Sequence, residues 1–348
     1  MMFLKLMDIR LDVKTQREML KGFLAEFGLL LDEDVEESIG LYDGNELVAV
    51  CCRSGKVLKG FAVRNSYREH NLTSSLVSEM IRRLFDKRIY KSFVFTRQKY
   101  KEKFESLGYR FIGQGGSAVL LETGLNGVDE YIARLKEQRS EGTVNGSIIM
   151  NCNPFTLGHR YLIKQAKSMC EVLFIIIVEE DSSLFPFSVR KQLIIEGIKD
   201  IPDIKVVDGG DYTISSATFP GYFFKKENDR IYSEAALDVN LFIKYTAPAL
   251  NISKRFAGSE PFDYVTSVYN NVMRENLVKS GIEFIEIERL KSDDRYISAT
   301  EVRKKICAGD FNSLHKLVPE STLNFIMSPE GEKISEKIIH KYRLLGEC

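Results

Sequence analysis

Ile148-Ile149-Met150-Asn151-Cys152-Asn153-Pro154-Phe155-Thr156-Leu157-Gly158-His159 is an apolar run followed by a tight polar loop, and an amphipathic segment opens at Arg160. The pattern predicts a strand, a turn and a helix start with a histidine on its first turn. A helix N-terminus presents unpaired backbone N–H groups and the positive end of the helix dipole, so it attracts phosphate. Gly158 removes a side chain where a ligand must approach the backbone, and Thr156 and His159, three residues apart, can face one ligand.

Outward from this stretch, the second half of the chain alternates strand and helix patterns. Gly146 to Met150 reads as a first strand, Arg160 to Met169 as a helix, and Val172 to Val178 as a strand apolar enough to be central. Ser188 is placed to cap a helix through Leu193, Ile194 and Ile198. Ile204 to Val207, Lys254 to Ala257 and Ile282 to Ile287 supply further strands. Such alternation predicts an α/β architecture with a parallel sheet, whose ligands bind beyond the carboxyl ends of the strands, where residues 151 to 159 fall.

A second helix start lies far along the chain. Ile297-Ser298-Ala299-Thr300-Glu301-Val302-Arg303 contains the capping-box pattern Ser298-x-x-Glu301. Arg303 carries a planar fork that pairs with phosphate through two parallel hydrogen bonds. Between the two starts, Phe256-Ala257-Gly258-Ser259-Glu260-Pro261-Phe262 follows a short strand and ends in proline, which marks a turn.

Composition narrows the function classes. Lys plus Arg and Asp plus Glu number 49 each in 348 residues, so no bulk charge favours nucleic acid or an anionic membrane. The longest wholly apolar run, Val172 to Val178, is too short to span a bilayer. The six cysteines show no zinc spacing, which predicts reduced, mostly buried thiols and a cytoplasmic setting. All eight prolines lie at or after Pro154. That shift, with a charged helical stretch from Asp129 to Glu141, predicts domains at 1–125 and 146–348 joined by a connecting helix at 126–145.

In the first part, Glu46 to Cys52 and Val57 to Val63 read as strands joined at Arg53-Ser54-Gly55. A helix follows with Leu72, Leu76, Met80, Ile81 and Leu84 at helical spacing, then a strand at Ser92 to Thr96, a short helix through Phe104, and Gly108-Tyr109. This order, and Phe104-Glu105-Ser106-Leu107-Gly108-Tyr109-Arg110-Phe111-Ile112 in particular, resembles the acetyl-coenzyme A-dependent N-acetyltransferase fold. The segment matching that family's pyrophosphate loop is Arg68-Glu69-His70-Asn71-Leu72-Thr73, which lacks both expected glycines and adds Glu69. The departure argues against acetyl transfer by this half and leaves docking, ligand sensing and structural support open.

Asn153 to His159 resembles the Thr/His-x-Gly-His signature of the nucleotidyltransferase superfamily, with Thr156 in place of the first histidine, and Ile297 to Arg303 is similar to its Ile-Ser-x-Thr-x-Val/Ile-Arg pattern. The resemblance implies an acetyltransferase-like α+β domain followed by a Rossmann-like nucleotidyltransferase domain. It implies His159 and Thr156 at the α-phosphate, and Ser298, Thr300 and Arg303 at the leaving pyrophosphate. Asn151, Cys152, Phe155, Gly158, Gly258 and Glu260 are implied as nucleotide contacts.

Three longer stretches, Tyr212 to Phe223, Leu241 to Leu250 and Phe256 to Asn270, with the domain order, resemble the citrate lyase ligase family over nearly the whole chain. That resemblance implies an AMP-forming acid–thiol ligase. ATP and acetate would give acetyl-adenylate, and the acetyl group would pass to the phosphoribosyl-dephospho-coenzyme A of the citrate lyase acyl carrier subunit. Mg²⁺ is expected with the ATP, without a dedicated protein cage. Two alternatives stay open from the sequence: an adenylyltransferase acting on a phosphorylated coenzyme precursor, and a noncatalytic acyl-coenzyme A sensor.

Overall fold

A computed structural model describes residues 4–179, 183–214, 219–259, 263–292 and 295–346. In chain order the elements are β1 (Leu4–Asp8), α1 (Lys14–Glu26), β2 (Glu37–Asp43), β3 (Glu46–Ser54), β4 (Val57–Val63), α2 (Leu72–Asp86), β5 (Lys91–Arg97), α3 (Lys101–Glu105), β6 (Arg110–Gly115), β7 (Ala118–Gly124) and α4 (Val128–Glu137). There follow β8 (Asn145–Met150), α5 (Leu157–Lys167), β9 (Val172–Ile177), α6 (Phe187–Gly197), β10 (Ile204–Asp208), α7 (Glu227–Leu241), α8 (Ala247–Leu250), β11 (Lys254–Gly258), α9 (Tyr264–Lys279), β12 (Glu283–Ile287), α10 (Ala299–Cys307), α11 (Glu320–Ile326) and α12 (Pro329–Leu345). A π-helical turn, Phe242–Thr246, lies between α7 and α8.

The chain forms two compact units, Met1–Tyr131 with Thr218–Leu241, and Ile132–Ala217 with Phe242–Cys348. Residues 218–241 therefore group with the first unit, although the sequence reading runs them into the stretch 146–348. Glycine explains how α7 docks there. A Cβ at Gly115 would collide with the backbone of Ser233 and Leu237, and one at Gly113 would lie 2.7 Å from Leu241 Cδ2. Their bare surface lets the helix lie directly on β6, and Asn240 Oδ1 accepts the Gln114 N–H at 3.3 Å.

The first unit is a seven-stranded sheet in the order β1-β2-β3-β4-β5-β7-β6. Its one parallel neighbour pair, β4 with β5, is joined only through Val57–Phe93 and Leu58–Val94, after which the strands diverge. A cleft of about 570 Å³ opens there, lined by Phe61, Arg68, Thr73, Lys103 and Tyr222 among others. Tyr222 is tied into it: its hydroxyl donates to Phe95 O at 2.7 Å, and its carbonyl accepts from the Leu30 N–H at 2.7 Å.

The second unit carries a five-stranded sheet in the order β10-β9-β8-β11-β12, parallel throughout. This is the doubly wound α/β arrangement the alternation predicts. β9 is buried on both faces, with Leu173 to Ile177 all at 0% exposure. Burying each of these side chains stabilises the fold by roughly 1.5–3 kcal/mol. Strand order reverses at β8, whose neighbours are β9 and β11, so the loop after β8 sits at the switch point where such sheets bind ligands.

Among the cysteines, Cys51, Cys52, Cys152 and Cys170 are free, as expected, whereas Cys307 is disulfide-bonded, against the expectation of reduced thiols. No helix among the described residues is long and apolar enough to cross a membrane.

Candidate active site

α5 starts at Leu157, three residues before the predicted start, because Thr156 is its N-cap. Thr156 Oγ1 accepts the His159 N–H at 3.2 Å, and the Thr156 N–H donates to His159 Nδ1 at 3.1 Å. This is a capping box with histidine where glutamate or glutamine is usual. Because Nδ1 accepts, the neutral ring carries its proton on Nε2. The ring also stacks on Phe155, with centroids 5.9 Å apart and planes 14° from parallel. Burial, and secondarily the positive charge of Arg289, push the imidazole down to about 4. At neutral pH, His159 is therefore a neutral N–H donor held by its own helix start.

The second helix start lies against the first. Gly158 packs so closely on the chain before Ser298 that a Cβ there would stand 2.8 Å from Ile297 O. Ser298 caps α10, its hydroxyl accepting the Glu301 N–H at 3.1 Å. Arg303 spans the two starts: Nη1 donates to Asn153 O at 2.6 Å, Nη2 to Thr300 Oγ1 at 3.0 Å, and Nε to Tyr342 Oη at 2.9 Å. The Leu157 N–H is taken by Leu317 O at 2.8 Å. Among the described residues, the N–H groups of Gly158, Ala299 and Thr300 have no protein acceptor. Two positive helix ends thus lie side by side, with three amides that have no protein acceptor, the kind of surface that suits an anion.

The loop joining β8 to α5 is fixed from below. Arg190, fully buried on α6, donates to Asn151 O (2.8 Å), Asn151 Oδ1 (2.7 Å), Val178 O (2.9 Å) and Phe185 O (3.0 Å). Its burial is decided by tertiary packing, which the local sequence around Arg190 does not signal. The helix start itself also differs: Pro186 is the N-cap of α6, and Ser188 lies inside the helix without a capping role.

Not every expected ligand contact is at a surface. Cys152 and Phe155 are 2% and 0% exposed and belong to the hydrophobic core, so their side chains do not reach a nucleotide as expected. Phe155 fills the space beside Gly197, and Cys152 adopts a left-handed φ of 53° to turn the chain after β8. The Asn153-Pro154 peptide bond is cis. Thr156, expected to assist at the α-phosphate, is 1% exposed, and its hydroxyl is engaged in the cap that holds His159. Arg303, expected to grip phosphate directly, has all three guanidinium nitrogens hydrogen-bonded within the protein.

Gly258 ends β11, and Ser259 N–H donates to Ile287 O at 2.8 Å. Among the described residues, a Cβ at Gly258 would meet Arg289 alone, at 3.7 Å from its Cγ. Glu260 lies outside the described residues. Arg289 itself carries no sequence motif; it is found only through its position beyond β12.

Residues 145–326 match the family profile described as Citrate lyase ligase C-terminal domain. The citrate (pro-3S)-lyase ligase of Escherichia coli K12 is 36% identical over 312 residues, which cover 88% of this chain and 89% of that protein. The protein of the same name from Haemophilus influenzae is 36% identical over 317 residues, covering 88% and 94%. Among solved structures, a bifunctional NMN adenylyltransferase/ADP ribose pyrophosphatase from Francisella tularensis aligns at 17% identity over 59% of this chain and 55% of that one, with a TM-score of 0.38. The signature loop and the capped second helix start lie inside the matched domain, and with relatives this similar across nearly nine-tenths of its length, the chain belongs to the citrate lyase ligase family.

Proposed function

We propose that this enzyme is an AMP-forming acetate–thiol ligase acting on the prosthetic group of the citrate lyase acyl carrier subunit. The observation that carries the reading is the meeting of two capped helix starts, α5 and α10, inside the domain its relatives share. Paired helix ends suit a triphosphate, whose charge spreads over many oxygens and is met by preorganised amides.

In the first step a carboxylate oxygen of acetate attacks the α-phosphorus of ATP, and the bond to the β-phosphate oxygen breaks. Acetyl-adenylate forms and pyrophosphate leaves. No protein nucleophile and no proton transfer are needed, so the catalytic burden is positioning and charge stabilisation. His159 donates Nε2–H to an α-phosphate oxygen, and Thr156 fixes the ring's tautomer and direction. The amides of Gly158, Ala299 and Thr300 receive phosphate oxygens, with Ser298 and Arg303 holding that surface in place. In the second step the carrier's thiol attacks the acetyl carbonyl, the carbonyl–oxygen bond to AMP breaks, and the thiol proton passes to solvent.

Mg²⁺ enters with the triphosphate as part of the substrate. Among the described residues no group of three or more His, Cys, Asp or Glu side chains could hold a metal ion. Mass spectrometry of the carrier subunit after incubation with ATP, acetate and the enzyme tests the reading. An acetyl-sized mass gain that hydroxylamine removes is expected, and ATP consumption that instead requires a phosphorylated coenzyme precursor would replace it with adenylyl transfer.

A further inference from the structure

Arg303 lies where the two helix starts meet, and its bonds leave its charge intact. Its acceptors, Asn153 O, Thr300 Oγ1 and Tyr342 Oη, are all neutral oxygens, and among the described residues no carboxylate pairs with it. The side chain is half-buried. Its remaining N–H groups and a full positive charge therefore stay at the seam between α5 and α10.

The hold on Nε comes from outside both signature stretches. Tyr342 is on α12, a helix capped by Ser328, whose hydroxyl accepts the Gly331 N–H at 3.2 Å. Ile334, Ile338 and Tyr342 recur every four residues along the buried face of that helix. They share one core with Val302 and Ile306 of α10. The two isoleucines end in methyl groups, whereas Tyr342 ends in a hydroxyl 2.9 Å from Arg303 Nε. A buried phenol packs as an apolar ring and still needs a partner for its oxygen, and here the partner is the arginine of the seam. Because Oη is neutral, it fixes the plane of the guanidinium without cancelling its charge, as a carboxylate at the same place would.

We infer that Tyr342 is a positioning residue of the adenylation step, acting through Arg303. The inference rests on the proposed adenylation. With Nε held, both ends of the fork are aimed: Nη1 at Asn153 O in the loop before α5, and Nη2 at Thr300 Oγ1 on the first turn of α10. One rigid cation thus sets the spacing of the two helix starts. α12 belongs to the site although it contributes no ligand contact.

The test uses the full-length enzyme with Tyr342→Phe, Arg303→Ala and the double variant, and with Ser328→Ala to loosen the far end of α12. Acetate-dependent exchange of labelled pyrophosphate into ATP should fall about tenfold in Tyr342→Phe, the scale of one hydrogen bond to a charged group. KM for acetate should not change, because Arg303 acts on the phosphates. The double variant should be no slower than Arg303→Ala, since Tyr342 works through that residue, and Ser328→Ala should stay within threefold of wild type. Exchange within threefold of wild type in folded Tyr342→Phe overturns the inference, as do losses that multiply in the double variant or an equal loss in Ser328→Ala. The Arg303 Nε–H signal in ¹⁵N NMR of the wild-type enzyme, assigned by its disappearance in Arg303→Ala, requires neither a folded Tyr342→Phe nor turnover. It should exchange slowly with solvent and shift on addition of Mg²⁺–ATP, and a rapidly exchanging or unmoved signal overturns the inference. Absence of pyrophosphate exchange in the wild type would instead fail the adenylation reading, and the Nε–H signal then decides Tyr342 separately.

Discussion

Two helix starts, that of α5 in one unit and that of α2 in the other, are built differently. At α5, a threonine caps the helix, a glycine removes bulk, a histidine completes the capping box, and the start of α10 packs against it. At α2, Asn71 adopts a left-handed φ of 51° with no side-chain cap, and Tyr222 from the segment ahead of α7 is tied to the neighbouring strand β5. Both carry the positive end of a helix dipole. The lesson is that a helix dipole is generic, and that a second start, a bare backbone and a held donor turn it into a specific site.

The sharpest way to break this comparison is to remove the held donor. His159→Ala should reduce acetate-dependent pyrophosphate exchange by about 100-fold or more, again on the scale of a lost preorganised donor, while Asn71→Gly at the other helix start should leave exchange unchanged. Steady-state exchange assays on folded variants check both.

Separating the paired starts comes next. Gly158→Ala places a Cβ 2.8 Å from Ile297 O, a backbone atom that cannot rotate away. The strain should cost about 1–3 kcal/mol of stability, the usual range for overpacking, measured by denaturant unfolding. Exchange should fall more than stability alone explains, because the seam between α5 and α10 opens. Gly28→Ala is a reference in the first unit: among the described residues nothing lies within 4 Å of its Cβ, so its cost comes from its φ of +66° and exchange should be unaffected.

Thr156→Ala should have a smaller effect. Loss of the cap costs about 1 kcal/mol, and the histidine loses the contact that sets its ring. Thr156→Ser retains the hydroxyl and should restore both stability and exchange, whereas Thr156→Val should not.

The mildest effect is in pH dependence. The His159 ring is held near 4, against an ordinary value of 6.5. Above pH 6.5 the ring is neutral whether the chain is folded or unfolded. As pH falls from 6.5 toward 4, the unfolded chain takes up a proton that the native ring refuses, so the contribution of the half-buried neutral ring to stability declines across that window. NMR titration of the ring should show its midpoint close to 4, and an ordinary midpoint would remove the distinction between a neutral donor and a cationic one.

Much of this was legible in the sequence, for identifiable reasons. Strand–loop–helix order at 146–159 follows from a simple apolar run and a polar turn, and Ser298 caps α10 because its local pattern already dictates that bond. The parallel sheet follows from alternation. What local pattern does not carry is where a side chain's bonds go. The three-residue spacing of Thr156 and His159 suits two side chains facing one ligand, but the same spacing is what a capping box uses. Cys152 and Phe155 lie in a loop by sequence and in the core by packing. Residues 218–241 join the first unit because Gly113 and Gly115 bare β6 to α7, a partnership between glycines and a helix more than a hundred residues apart. Tyr342 belongs to a helix outside both signature stretches, and only its bond to Arg303 shows what it stands beside.

The central claim is that the seam between α5 and α10 activates acetate with ATP. The direct measurement is exchange of labelled pyrophosphate into ATP by the purified enzyme with Mg²⁺, with and without acetate, in wild type and in His159→Ala. Rapid exchange that depends on acetate and is lost in the variant is the predicted result. Exchange that proceeds equally without acetate, or that survives intact in folded His159→Ala, would contradict the account.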